Sequence, residues 1–241
     1  QFAEDNGPTA HPIQPDSYLE INNFYTATVY DKGAEVIRMM HSMIGAEKFR
    51  QAMDLYIKDN DGKAATTKDF IKAVSSASKK DLTQFESEWY HRAGTPEVAA
   101  RWEQNLSTRT LTLNLKQSLL GKPSKYHIPV RIGFIAEDGS ELEFEKDGQS
   151  ETILDFLETE QEFKFNKIGK KCTPSLFRDF SAPIKLKADY TNDDHLLLLN
   201  NDTDHFNRFG AMQELLLKEI LKISDSIKNH SDYCNILVDS H

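Results

Sequence analysis

The chain has 241 residues, enough for one large domain or two ordinary ones. Its 29 Lys and Arg stand against 38 Asp and Glu, and a net charge of −9 argues against a nucleic-acid partner; Lys79-Lys80 and Lys170-Lys171 are too short to track phosphates and read as solvated faces. The longest apolar run, Leu196 to Leu199, is far short of a membrane span, and the opening Gln1 with Glu4-Asp5 is unlike a signal peptide, so a cytoplasmic protein with no membrane partner is expected.

Pro8, Pro12, Pro15 and Gly7 make the first stretch, to Ile21, a loop laid over the surface rather than a continuous helix. Four helices are predicted next. The first runs over about 26–44, with Val36, Ile37, Met40, Met43 and Ile44 on one face and Gly45 as its C-cap. A second, over about 46–59, buries Phe49, Met53 and Tyr56. Thr66 with Asp69 forms a capping box for a third carrying Phe70, Ile71 and Val74. Thr83 with Glu86 repeats the device for a fourth bearing Phe85, Trp89 and Tyr90, which Gly94-Thr95-Pro96 stops.

Beyond Pro96 the apolar period changes to two. Leu111, Leu113 and Leu115 alternate with polar residues, and Ile128, Val130, Ile132 and Phe134 share a face before the Asp138-Gly139 turn. Leu142 and Phe144, then Ile153, Leu154 and Phe156, then Phe163 and Phe165 continue the pattern, which suggests a small β-sandwich. Helical spacing returns with a short helix near Asp194 to Asn200 and a strong one from His205 through Leu215, Leu216, Ile220 and Ile223; Ser224 to His241 carries no clear period. One and a half helices cannot bury a core by themselves.

Candidate chemistry is sparse. Cys172 and Cys234 are two isolated thiols with neither disulfide-framework nor metal-ligand spacing. None of the eight histidines falls in a His-Glu-x-x-His string, so no metal ligands are assigned within this chain. Acids such as Glu158, Glu160, Asp193 and Asp194 read as solvent-facing. The richest stretch is Asn22-Asn23-Phe24-Tyr25-Thr26-Ala27-Thr28-Val29-Tyr30-Asp31-Lys32-Gly33-Ala34-Glu35. By spacing alone, Tyr25 and Tyr30 read as core aromatics with satisfied hydroxyls.

That string, led by Gln1 to Ile13, closely resembles a segment of the aminopeptidase N family of zinc metallopeptidases. Trp89-Tyr90 with Gly94-Thr95-Pro96 looks like the end of that family's catalytic domain, and Phe180 to Leu186 like the last strand of the β-sandwich that follows. The resemblance implies an α+β multidomain fold. Residues 1–96 would be the C-terminal helical part of a thermolysin-like catalytic domain, 97–187 the β-sandwich, and 188–241 the start of an α-helical domain. It implies peptide substrates and a zinc cofactor whose ligands lie upstream of Gln1, on a remainder of the polypeptide this chain lacks. Tyr30 would then be the catalytic tyrosine, its hydroxyl aimed at the substrate carbonyl, and Asn22, Tyr25 and Asp31 would line the first side-chain pocket. Many family members carry Glu where this chain has the shorter Asp31.

Two functions are therefore expected of such a chain. In the first it is part of a zinc aminopeptidase and inactive alone. The alternative is a non-catalytic interaction or scaffold module built of a helical bundle and a β-sandwich. An intact parent carrying His-Glu-x-x-His a few dozen residues upstream separates them.

Overall fold

The computed structural model describes the backbone of residues 2–144 and 148–238, and the side chains of 4–144 and 148–227. A one-turn helix α1 (Phe2–Asp5) opens it, followed by an irregular lead-in. That lead-in is pinned to the surface: the Gln14 amide donates to the Tyr90 carbonyl at 2.9 Å, and Thr67 Oγ1 donates to Gln14 Oε1 at 2.7 Å.

A 3₁₀ turn (Ile21–Phe24) and a π-helical turn (Thr28–Lys32) precede α2 (Gly33–Ile44). The expected single helix over 26–44 is thus wound in two ways. Thr26 Oγ1 accepts the Val29 amide at 3.2 Å, a side-chain cap that starts the turn at its N-terminal edge. Helix α3 (Ala46–Asn60) buries Ala52 fully, whereas Phe49, Met53 and Tyr56 are half-buried. The capping box at Thr66 and Asp69 opens α4 (Thr67–Ser78), whose Ile71 and Val74 enter the core.

Helix α5 (Thr83–His91) corrects a second expectation. Thr83 is inside the helix, and it is Asp81 Oδ1 that accepts the Thr83 amide at 2.9 Å. The intervening Leu82 is 1% exposed, so the core claims the position before Thr83 and the capping side chain lies two positions back, at Asp81. Phe85, Trp89 and Tyr90 are buried as the spacing predicts.

The β region holds two sheets. One is five-stranded, ordered β3 (Lys122–Pro123), β2 (Thr110–Leu119), β1 (Glu97–Asn105), β8 (Lys185–Ala188), with β6 (Glu160–Asn166) also paired to β2. The other runs β5 (Glu151–Phe156), β4 (Ile128–Ala136), β7 (Cys172–Leu176). Leu111, Leu113 and Leu115 of β2 and Ile128, Val130, Ile132 and Phe134 of β4 share one core, and the rings of Phe134 and Phe165 meet edge to face at 4.9 Å across the sheets. The sandwich expected from the alternation is present.

Its last strand is shorter than the Phe180 to Leu186 reading: residues 178–180 form a 3₁₀ turn and pairing starts at Lys185, parallel to β1. Strand β7, whose five residues are all buried, had no alternation to reveal it.

Helices α6 (Asn192–Asn201) and α7 (His205–Val238) pack on the outer face of the three-stranded sheet, where Ile135, Leu198 and Ala211 form a small separate core. The stretch from Ser224, without a legible period, continues as helix to Val238. Leu216, Leu217, Ile220, Leu221, Ile223 and Ile227 remain at least half exposed along α7. Two residues expected to face solvent are half-buried against partners instead: Asp194 closes the α6 capping box with Thr191 and accepts the Thr173 hydroxyl at 2.5 Å, and Lys80 pairs with Asp155 at 2.9 Å. Among the described residues no helix is long and apolar enough to cross a membrane. Cys172 is buried and free; the side chains of Cys234 and His230, and all of Gln1 and His241, lie outside the described residues.

Candidate active site

The residues singled out by sequence gather on the two irregular turns before α2. Tyr25 and Tyr30 are not core aromatics: they are 68% and 58% exposed, and their rings stack at 6.0 Å with 20° between planes. The backbone sets this pairing. The Tyr25 amide donates to the Asn22 carbonyl at 3.2 Å, the Thr26 amide to Phe24 at 3.0 Å, and the Tyr30 amide to Thr26 at 3.0 Å, so the chain turns back and lays one ring beside the other. Edge-to-face contact of Tyr18 and Phe24 at 4.4 Å braces the 3₁₀ turn. Asn22 and Asp31 are exposed too, Asn22 joined to Tyr25 through that backbone bond and Asp31 following Tyr30.

The π-helical winding is itself informative. A wide turn of this kind inserts into an otherwise α-helical run only where its surroundings hold it, and such turns concentrate at functional sites. Here the Gly33 amide reaches back to the Thr28 carbonyl, and Thr28 is 4% exposed. Beside the turn opens a cleft of about 840 Å³ lined by Tyr30 and by the apolar Ile13, Phe24, Val29, Ile37 and Phe70. Tyr90, on the same wall, is buried, and burial pushes its phenol up to about 12. Among the described residues the Tyr30 hydroxyl makes no hydrogen bond, which leaves it available to a ligand in the cleft.

What sequence reading missed lies directly beneath. Lys32 is 2% exposed and its Nζ donates to Asp5 Oδ1 at 3.1 Å, Asp5 Oδ2 at 2.9 Å and the Gly94 carbonyl at 2.9 Å. Asp5 Oδ2 also accepts the Thr95 hydroxyl at 2.6 Å. Burial pulls the Lys32 ammonium below the ordinary lysine value, against the opposing pull of Asp5. Its own stretch of sequence, with Asp31 beside it and Glu35 three positions on, gave no sign of this; its acceptors come from the lead-in and from the junction after α5.

Among the described residues no group of three or more His, Cys, Asp and Glu could hold a metal ion. The residues present therefore do not fit a zinc site, and the chemistry this chain can offer is a phenol donor, an apolar cleft and polar groups at its rim.

A helical segment that displays a tyrosine on an irregular turn, followed by an Ig-like β-sandwich, defines a class. Residues 1–89 match the peptidase family M1 domain and residues 94–189 match a domain of unknown function with an Ig-like fold (DUF3458). The first segment is thus similar to the M1 peptidase domain. Among proteins with that domain the chain resembles the bacterial aminopeptidases N: it is 40% identical to that of Haemophilus influenzae over 91% of this chain and 26% of the relative. The Escherichia coli enzyme gives 40% over 90% of this chain and 25% of the relative. The fold is similar to a crystal structure of Legionella pneumophila aminopeptidase A in complex with aspartic acid, with a TM-score of 0.79 and 35% identity over 88% of this chain and 24% of that one. The chain spans about a quarter of the length of the curated relatives it matches.

Proposed function

We propose that this chain supplies part of the active site of a cytoplasmic zinc aminopeptidase that removes N-terminal residues from peptides. Residues 1–96 would act as the end of its catalytic domain, 97–187 as the sandwich and 188–241 as the opening of a helical domain. The observation that carries the reading is the Tyr30 hydroxyl, exposed beside an apolar cleft and without an intramolecular partner among the described residues. When a nucleophile adds to a peptide carbonyl, charge develops on its oxygen, and a phenol held in place donates a hydrogen bond that strengthens as the charge grows. Tyr30 is assigned that role. Tyr25 buttresses its ring, and Asn22 and Asp31 border the pocket for the first side chain and the free amine. Asp31 is shorter than the Glu common in relatives and would reach the amine less far.

Zinc ligands would come from outside this chain, since the described residues do not form a set for them. The chain by itself is then inert, and the apolar face of α7 expects cover from the remainder of the longer polypeptide.

The test is hydrolysis of an alanyl chromogenic amide, with and without added zinc, by this chain and by a polypeptide of the length of the relatives, each also as Tyr30→Phe. Activity confined to the longer protein, with turnover lowered about 10²–10³-fold by Tyr30→Phe, is the expected result. A longer protein inert under every metal condition overturns the enzymatic reading in favour of a binding module.

A further inference from the structure

The buried ammonium of Lys32 lies two residues from Tyr30 on the same π-helical turn. Residues so spaced on a helix point to nearly opposite sides, and here one is 58% exposed in the cleft and the other 2% exposed in the protein. Whatever fixes Lys32 fixes the back of the turn that carries Tyr30.

It is fixed from three places. Asp5 in α1 offers both carboxylate oxygens, and Gly94, just past α5, offers its carbonyl. The acceptors are themselves held. Thr95 donates its hydroxyl to Asp5 at 2.6 Å and its amide to Asn6 Oδ1 at 3.2 Å, while Gly94 sits at φ 97°, where an added Cβ would meet Leu119 Cδ1 at 2.9 Å. All three ammonium hydrogens thus have fixed partners, and the turn cannot rewind into an α-helix without drawing a buried charge off them. An apolar side chain of similar volume would fill the space as well, and a buried ion pair is in general a poor source of stability. What it does supply is register.

We propose that Lys32, through its ion pair with Asp5, is a positioning residue that holds the π-helical turn and so sets the direction of the Tyr30 hydroxyl into the cleft. The inference rests on the reading of Tyr30 as the oxyanion donor. Lys32 touches no substrate in this scheme and acts only through Tyr30.

A double-mutant cycle in the longer polypeptide tests it, with kcat and KM measured per mole of folded protein for the parent, Tyr30→Phe, Lys32→Met and the double variant. Folded fraction is scored by circular dichroism. Misplacing a catalytic group by about 1 Å costs on the order of 10²-fold, so Lys32→Met is expected to lower kcat by at least about 10-fold with little change in KM. In the Tyr30→Phe background the same substitution is expected to cost less than about two-fold, because the group it positions is gone. Equal losses in both backgrounds, or none in the parent, overturn the proposal. Should Lys32→Met not fold, Asp5→Asn enters the same cycle and is read by the same criterion. A Tyr30→Phe protein as active as its parent would sink the oxyanion reading itself, and that single variant separates the two failures.

Discussion

The indole N–H of Trp89 donates to the carbonyl oxygen of His127 at 2.9 Å, both residues buried. This bond joins the end of the helical segment to the residue that enters β4 of the sandwich. The Phe85 ring meets the His127 imidazole edge to face at 6.1 Å beside it, and Arg92 lies over the Tyr126 ring at 5.5 Å. The seam between the M1-type segment and the Ig-like module is therefore packed and hydrogen-bonded.

Trp89→Phe should weaken that seam. The smaller ring leaves the His127 carbonyl buried without its donor, a penalty of about 1–3 kcal/mol before any loss of packing. Urea unfolding followed by far-UV circular dichroism reads it directly, and an unchanged midpoint would show that the seam does not depend on this bond.

On the outer face of the sandwich, Arg178 Nη2 donates to Glu141 at 2.6 Å, Asp202 at 2.8 Å and the Thr203 hydroxyl at 2.6 Å. Asp202 also accepts Ser175 Oγ at 2.5 Å, and its side chain is wholly buried. Arg178→Met strands that carboxylate, and breaking a buried pair from one side costs about 3–5 kcal/mol. The α6–α7 hairpin should loosen from β7. Limited proteolysis is expected to cut between α6 and α7 in the variant and not in the parent.

Asp155 gives the protein an acid-sensitive contact at the same seam. The hydrogen bond with His127 at 2.8 Å, then the ion pair with Lys80, hold its carboxyl down to about 2 against the opposing effect of burial. Its folded form binds a proton less readily than its unfolded form, whose value is 3.8, so stability from this group is complete above the unfolded value and is lost as pH falls through the folded one. Half-exposure and solvent screening keep the effect small. Comparing the denaturation midpoint of the parent with that of Asp155→Asn, the gap should be widest at pH 5 and close on descent to pH 2. A gap independent of pH would refute the assignment.

Burial pushes the Cys172 thiol up to about 12, so hardly any thiolate exists at neutral pH. In a Cys234→Ser variant, where Cys172 alone is read, a disulfide reagent at pH 8 should leave the native protein untouched and react at once in denaturant. Rapid native labelling would show that the β7 face opens.

The elements that sequence determined by itself are those built from neighbours. The Thr66–Asp69 box closes over three positions, and the apolar period of α2 and the alternation in β2 each place their side chains without reference to the rest of the chain. Tyr30 too was legible, as one residue of a distinctive string. Its setting was not. The stacking of Tyr25 on Tyr30 is local but hangs on an irregular turn that no residue pattern announces. The displacement of the α5 cap to Asp81 by a core leucine and the parallel pairing of β8 with β1 arise only when distant segments meet. Lys32 marks the limit most sharply: its partners lie 27 and 62 positions away, and nothing within a helical turn of it distinguishes a buried anchor from a solvated lysine. A local hydrogen bond is written in adjacent residues, whereas the burial of a charge is decided by which remote carboxylate and carbonyl the finished fold brings within 3 Å of it.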